Sequence, residues 1–370
     1  MLPNPPLWLV LVAFVCALGP LVFFHELGHY LVARLFGIPA ETFSIGFGHE
    51  ILGWSDRQGT RWKIGWLPLG GYVKFVGDMS PASEPAELES IPADLRDRAF
   101  QLRPVWQRFL VVLAGPAANF LLAMLIFATI YMALGSPSTN VVGKVKADGA
   151  AASVGLRPND RILSVAGKKV EDFGDLQAIV FDRPDQRVEV LYQRGSQLSQ
   201  VAVTLHSEVD ADPFGHRVKR GVLGLSPARA SPLSAIADGT RATWVITRSI
   251  VAGIGEMVRG RVSGGEVAGP IRIAQIAGQG ASLGILPFVQ LVALLSINLG
   301  FINLLPVPML DGGHLFFYGV EAVRRRPLSA QALEWAFRSG LAVILALVLF
   351  TTVNDLGSLG LWDRLQRLIG

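Results

Sequence analysis

His25-Glu26-Leu27-Gly28-His29 sets two histidines four residues apart, with an acid beside the first. Residues four apart stack on one face of a helix, so both imidazoles can reach one metal ion. Glu26 is then positioned to take a proton from a water that the metal activates. The motif lies within a run that is otherwise apolar from Leu7 to about Leu35. Two histidines and a glutamate in such a run cost several kcal/mol of desolvation unless ligated or paired, which favours a working site over a polar packing cluster. A catalytic zinc takes three protein ligands and keeps a fourth position open. The other apolar run with suitable groups ends in INLLPVPMLDGGHLFF, where Asp311 and His314 both qualify as the third ligand. Pro306 and Pro308 break the helix there, and Gly312 and Gly313 let the backbone turn again. Irregular backbone at membrane depth survives only against protein or a water-lined cavity, so this segment is expected to wall the site. Asn303 is a further polar group on that wall, with interhelical hydrogen bonding as its plainer role.

Composition states what medium surrounds these groups. Of 370 residues, 51% are hydrophobic and 17% charged, with a mean hydropathy of +0.43. Soluble domains carry about 25% charged residues; the balance here excludes an ordinary soluble enzyme, and equally a disordered chain. Four runs reach the roughly 20 residues that a spanning helix needs: Leu7 to about Leu35, Phe109 to Leu134, Ile285 to about Leu305, and Ala336 to Val353. Arg338, near the start of the fourth, can snorkel to the interface. The leader MLPNPP has no basic residue and no small-x-small site follows the first run, so that run is expected to be retained. The single cysteine, Cys16, precludes an intrachain disulfide and reads as a small apolar group. A net charge of +4 is too weak to suggest nucleic acid, while a pI near 9.4 suits loops beside anionic membrane lipid.

Basic residues in short loops mark the cytoplasmic side. Arg34, at the very end of the first run, is followed by Arg57, Arg61, Lys63, Lys74, Arg96, Arg98 and Arg103 before the second, and Arg324, Arg325 and Arg326 lie between the last two. Both loops are therefore predicted to be cytoplasmic and the long segment 136–284 exported. Up to about Leu225 that segment alternates short β-rich runs with turns (NVVGKVKAD, GLRPNDRILSVAGKKV, RVEVLYQRG, LSQVAVTLH), interrupted by a helical DFGDLQAIVF. From Pro232 to Arg259 the period becomes helical, with Ile236, Thr240, Trp244, Thr247, Val251, Ile254 and Val258 on one face that could pack on the β module or lie along the membrane. Ser80 to Pro92 reads as a mobile cytoplasmic linker. Asp148, Asp160 and Asp172 are expected as turn and cap residues, and His49, His206 and His216 as exposed bystanders. The predicted organisation is a first helix with the metal motif (1–36), a cytoplasmic β-hairpin loop and linker (37–104), a second span (105–135), an exported β module (138–226), a helical region (227–284), a third span with its broken continuation (285–323), and a basic turn, fourth span and tail (324–370).

HELGH followed far downstream by NLLPVPMLDGG resembles the site-2 protease family of intramembrane zinc metalloproteases, peptidase M50, and within it the bacterial regulator-of-sigma-E protease branch. FSIGFG and PLGGYVKF resemble the family's region after the first span, AGPAANF its second-span motif, GLRPNDRILSVAGKKV a PDZ core, and GPIRIAQ the segment before its third span. The resemblance covers nearly the whole chain. It implies a four-helix membrane protein with a cytoplasmic membrane-associated β-hairpin region and an exported PDZ-like α+β domain, in a bacterial inner membrane with the PDZ domain on the periplasmic side. It further implies Zn2+ as cofactor, with His25, His29 and Asp311 as ligands rather than His314, Glu26 as general base, and Asn303 holding substrate near the metal. Substrates would be single-span membrane proteins, such as anti-sigma factors or signal-peptide remnants, first trimmed outside by another protease. The chain departs from tandem-PDZ members of the branch in having room for one PDZ domain.

A spanning helix has its amides internally bonded, so a substrate must unwind before attack. FSIGFGHEILGW and TRWKIGWLPLGGYVKF read as hairpins near the cytoplasmic end of the first span, where an edge strand could pair with the unwound substrate and Gly70 and Gly71 would permit close backbone approach. The same segment could instead rest on the membrane through Trp54, Trp62 and Trp66. Two rival readings compete with proteolysis: a membrane PDZ scaffold without catalysis, and a transporter with broken helices, the latter weakened by the lack of repeat symmetry between the two halves.

Overall fold

The first apolar run folds as one helix, α1 (Leu7–Leu35), in a computed structural model that describes residues 5–77, 93–211, 217–260 and 269–358. Its buried face repeats every fourth residue: Ala13, Ala17, Leu21, His25, His29 and Ala33. That spacing is one stripe of a helix, and its three alanines let neighbouring backbones come close while Leu11, Val12 and Leu31 point outward. α3 (Val105–Leu134), α8 (Ile285–Asn303) and α10 (Ala330–Ser358) are likewise long and apolar enough to cross a membrane. The second helix begins at Val105, ahead of the expected Phe109, and the fourth at Ala330, ahead of Ala336. Arg338 therefore sits two turns inside α10, where it pairs with Glu334 one turn earlier and remains exposed.

The chain divides into two units, residues 124–245 and the remainder. In the unit that contains the metal motif, β1 (Ala40–Ser55) and β2 (Arg61–Phe75) follow α1. Both strands bend back on themselves, so that Thr42–Ile45 pair on one side with Gly71–Lys74 and on the other with Arg61–Ile64, which in turn meet Leu52–Ser55. Gly46 and Gly70, with φ of +83° and +117°, sit at the bends. Phe43 and Trp62 stack at 4.2 Å and, with Tyr30, Ile38 and Val111, pin the sheet to the helices. The expected linker at 80–92 lies outside the described residues; a single turn, α2 (Ala93–Arg96), precedes α3.

The other unit carries β3 (Val142–Val145), α4 (Ala150–Ser153), β4 (Arg161–Val165), β5 (Lys168–Lys169), α5 (Phe173–Phe181), β6 (Arg187–Arg194), β7 (Gln197–Thr204), β8 (His206–Ala211), β9 (Arg217–Val222) and β10 (Leu225–Pro227). The strands form a sheet in the order β5-β4-β6-β7 with the pairs β3/β10 and β8/β9 beside it. Val142, Ile162, Val165, Leu176, Val190 and Leu205 fill its core. Each predicted strand and the DFGDLQAIVF helix are present. Asp172 caps α5 through Asp175 N–H (2.9 Å), Asp160 closes the turn at Arg157 (2.7 Å), and His206 is exposed, as is His49 in the other unit. His216 lies outside the described residues.

After β10 come α6 (Pro232–Val258) and α7 (Pro270–Ser282). Of the two positions expected for the apolar face of α6, on the β module or along the membrane, Ile236 and Trp244 do not take the first: both are more than half exposed. Its buried residues are Ala235, Asp238, Gly239 and Thr243, and a carbon added to Gly239 would meet the Met124 carbonyl at 2.5 Å. Small residues at four-residue spacing let two helix backbones meet closely. α7 packs on α1, so closely at Gly278 that an added carbon would meet Val10 at 2.7 Å. Its first turn is held by Asp355 of α10, which accepts from the backbone N–H groups of Gly269 (3.2 Å) and Arg272 (3.0 Å).

Candidate active site

α8 stops at Asn303, and the chain turns through Pro306 and Pro308 into α9 (Asp311–Arg324). The left-handed residue of this turn is Met309 (φ +82°), not a glycine. Gly312 and Gly313 serve differently from the expected turn: an added carbon would meet the Leu305 carbonyl at 2.2 Å and the Val307 carbonyl at 2.5 Å. Their bare backbones fold α9 tightly onto the turn, and that tightness aims Asp311 back at α1.

The result is one cluster. Asp311 Oδ2 lies 3.1 Å from His25 Nε2 and 3.6 Å from His29 Nε2, and the two Nε2 atoms are 3.2 Å apart. His29 Nδ1 is 2.9 Å from the Val111 carbonyl, which can only accept. Nδ1 therefore carries the proton, and in the neutral ring Nε2 presents a lone pair. That lone pair faces another imidazole nitrogen and a carboxylate oxygen, Asp311 Oδ2, which is buried without a hydrogen-bond partner. Three acceptors aimed at one point repel one another unless a cation joins them. Ligand atoms about 2.0–2.1 Å from a tetrahedral zinc are about 3.3 Å from each other, which is the spacing observed. The donor set fits zinc.

Other predicted residues fall around this point. Glu26 is buried beside both histidines and Asp311, and its carboxylate accepts from the Val73 backbone N–H of β2. Asn303 Nδ2 is 3.4 Å from His25 Nε2, at the partly open rim. His314 is not brought in: its ring lies 5.2 Å from Phe337 of α10, and it is absent from the ligand cluster. Gly70 and Gly71 are close to the site, but the space of their missing side chains is taken by the chain itself. A carbon on Gly70 would meet the Phe47 ring at 2.8 Å, and one on Gly71 the Ser44 carbonyl at 2.6 Å, Val22 at 2.7 Å and Glu26 Cγ at 3.1 Å. Gly71 seats β2 against α1 and Glu26, and Gly70 makes room for the Phe47 ring of β1.

α3 supplies groups that the residue-by-residue reading missed. Asn119 Nδ2 is 3.2 Å from His25 Nδ1, and Asn119 is fully buried. Gly115 makes room for the His29 ring, and Gly28 brings α1 against the Ala114 carbonyl. Arg108, stacked over Tyr318, pairs with Glu321 at 2.7 Å and so ties α3 to α9. The available signal was AGPAANF itself: a polar Asn and a Gly in an apolar span.

The sequence profile described as Peptidase family M50 matches residues 13–347. This chain belongs to peptidase family M50. Among its M50 relatives, the zinc metalloprotease homologue Atu1380 of Agrobacterium fabrum is 43% identical, over 94% of this chain and 96% of that one. Metalloprotease MmpA of Caulobacter vibrioides is 38% identical, over 94% of this chain and 95% of its own. M50 membership and these relatives make the chain a metalloprotease with zinc as its cofactor. A PDZ domain of an SdrC-like protein from Listeria monocytogenes aligns with 24% of this chain and 85% of its own, at 20% identity and a TM-score of 0.19.

Proposed function

We propose that this metalloprotease cuts a peptide bond within the membrane-spanning segment of single-span membrane proteins. The observation that carries the reading is the convergence of His25 and His29, beside Glu26 on the span-length helix α1, with Asp311 at the start of α9, which follows the span-length α8. His25 lies about 27 Å along α1 from Leu7 at ~1.5 Å per residue, close to the far side of a hydrocarbon layer of about 30 Å. With the basic loops on the cytoplasmic side, the site lies towards the cytoplasm of the inner membrane and the β-rich PDZ-like unit is periplasmic.

In this reading His25, His29 and Asp311 hold the zinc, and Glu26, outside the ligand set, is free for proton transfer. Bound zinc supplies Lewis acidity that polarises a peptide carbonyl and acidifies water to near neutral pH. Glu26 accepts the proton of the attacking water and delivers it to the amine nitrogen that leaves, so one carboxylate serves both steps. Asn303, at the rim beside His25, donates to the substrate backbone near the scissile bond. The Gly71–Lys74 row of β2 is bonded on one side to β1, and an unwound substrate segment adds to its other side by strand pairing. Trp54 and Trp66, both more than half exposed, anchor the same hairpin at the membrane interface.

Substrates are taken to be anti-sigma-factor-like or signal-peptide remnants already cut on the outer side by a site-1-type protease, and the single PDZ-like domain selects among them without taking part in the chemistry. The test is co-expression of a tagged single-span substrate lacking its outer domain with wild type or Glu26→Gln. Loss of cleavage by roughly 100-fold or more is expected for removing a general base, with zinc content unchanged. Equal cleavage by both proteins would refute the role of Glu26, and cleavage by neither would favour a scaffold.

A further inference from the structure

We propose that Asn119 is a positioning residue that fixes the tautomer and orientation of His25 by accepting a hydrogen bond from its Nδ1–H, and thereby sets the zinc affinity. The inference rests on the reading of His25 as a ligand through Nε2. Three observations lead to it. His25 Nε2 is the atom aimed at His29 Nε2 and Asp311 Oδ2, so a metal held there leaves the imidazole proton on Nδ1. The group that faces Nδ1, at 3.2 Å, is the Asn119 amide. Its nitrogen points at Nδ1, while its oxygen is buried with no partner at all.

Two N–H donors facing each other, next to an orphaned acceptor, is the less stable of two arrangements. A half-turn of the amide exchanges the two atoms at almost no steric cost. It places Oδ1 where Nδ1–H can donate to it, which removes the donor–donor contact and satisfies the oxygen. His29 already shows the equivalent bond, from its Nδ1–H to the Val111 carbonyl at 2.9 Å. The two ligand imidazoles are thus both oriented from α3, one by a backbone carbonyl and one by a side chain.

Asn119 is itself held in place. Ser296 of α8 donates to its backbone carbonyl at 2.8 Å, and Gly300 of α8 leaves room so narrow that an added carbon would meet Asn119 Cβ at 3.3 Å. A side chain with 0% exposure, clamped at the crossing of α1, α3 and α8, has little freedom to do anything but face His25.

The test is zinc affinity by chelator competition on the purified full-length protein, for wild type, Asn119→Leu, Asn119→Asp and His25→Ala. Outer-sphere partners of ligating histidines contribute about 10–100-fold in metal affinity. Asn119→Leu, similar in volume but without an acceptor, is expected to bind zinc about 10–100-fold more weakly, with the thermal midpoint of the metal-free protein unchanged. Asn119→Asp keeps an oxygen opposite Nδ1–H and is expected to match or exceed wild-type affinity. Wild-type affinity in a folded Asn119→Leu would overturn the proposal. Should the leucine variant fail to fold, the aspartate variant decides: retained affinity supports the hydrogen bond, and a loss beyond tenfold refutes it. Wild-type affinity in His25→Ala would instead refute the ligand assignment beneath it, a separate failure.

Discussion

Gly115→Ala sets two forces against each other, and the structure says which wins. In an exposed helix, alanine is favoured over glycine by about 1 kcal/mol, so propensity alone expects a slightly stabilised α3. At this position the added carbon would stand 2.2 Å from His29 Nε2, 2.4 Å from Cε1 and 2.9 Å from Cδ2. Ordinary contact begins at 3.4 Å, so the ring must retreat by about 1.2 Å. It cannot do so freely, since Nδ1 is held by the Val111 carbonyl. Metal–ligand distances tolerate only about ±0.2 Å, so the displaced Nε2 no longer serves. The expected result is a folded protein whose zinc affinity falls by at least about 10–100-fold and whose cleavage of a membrane substrate falls by about 100-fold or more. Chelator competition and a cleavage time course read the two effects; Gly253→Ala in α6, where an added carbon meets nothing within 4 Å, is the control. Wild-type zinc binding and cleavage in a folded Gly115→Ala would refute the packing argument.

Gly71→Val drives a side chain into Ser44 and Val22, a clash expected to cost about 1–3 kcal/mol; β2 amides should lose hydrogen-exchange protection and cleavage should drop while bound zinc stays, and unchanged protection would contradict the seating of β2 on α1. In the β-rich unit, burial works to raise the Asp160 pKa, but two bonds from Arg194 at 2.8 Å and one from Arg157 N–H outweigh it and hold the carboxyl below the usual range. Its contribution to stability is therefore present above the unfolded value near pH 4 and lost as pH falls through the lower folded value; the protection of β4 and β6 amides relative to their intrinsic exchange rate in the full chain should fall below about pH 4, and Asp160→Asn should remove that step. In a Cys16→Ser background, Lys169→Cys is expected to react with an impermeant maleimide from the outer side of spheroplasts and Arg326→Cys only after permeabilisation; the reverse pattern would invert the proposed topology.

What the sequence made legible depended on short-range chemistry. The four-residue spacing of His25 and His29 reports a helix face directly, and α1 has the bounds that its apolar run sets. The alternation in RVEVLYQRG and LSQVAVTLH, joined by a tight Gly195 turn, specifies the β6/β7 hairpin before any tertiary contact. Asp311 against His314 could not be decided locally, because the choice is made by Met309 and by the close approach of Gly312 to Leu305. Asn119 and Val111 were missed for a related reason: their partners are 94 and 82 residues away, and a backbone carbonyl leaves no mark on the sequence. For α6 the apolar stripe left two positions open, and the helix packs through Ala235, Gly239 and Thr243, small residues that a hydropathy pattern does not mark.

The most direct measurement is the position of the cut. Purified protein and a tagged single-span substrate would be reconstituted together in liposomes and the product termini read by intact-mass spectrometry. Cleavage inside the apolar segment, in its cytoplasmic half, dependent on zinc and absent with Glu26→Gln, is the expected result. Termini that map outside the apolar segment, or cleavage that survives chelation, would contradict the account.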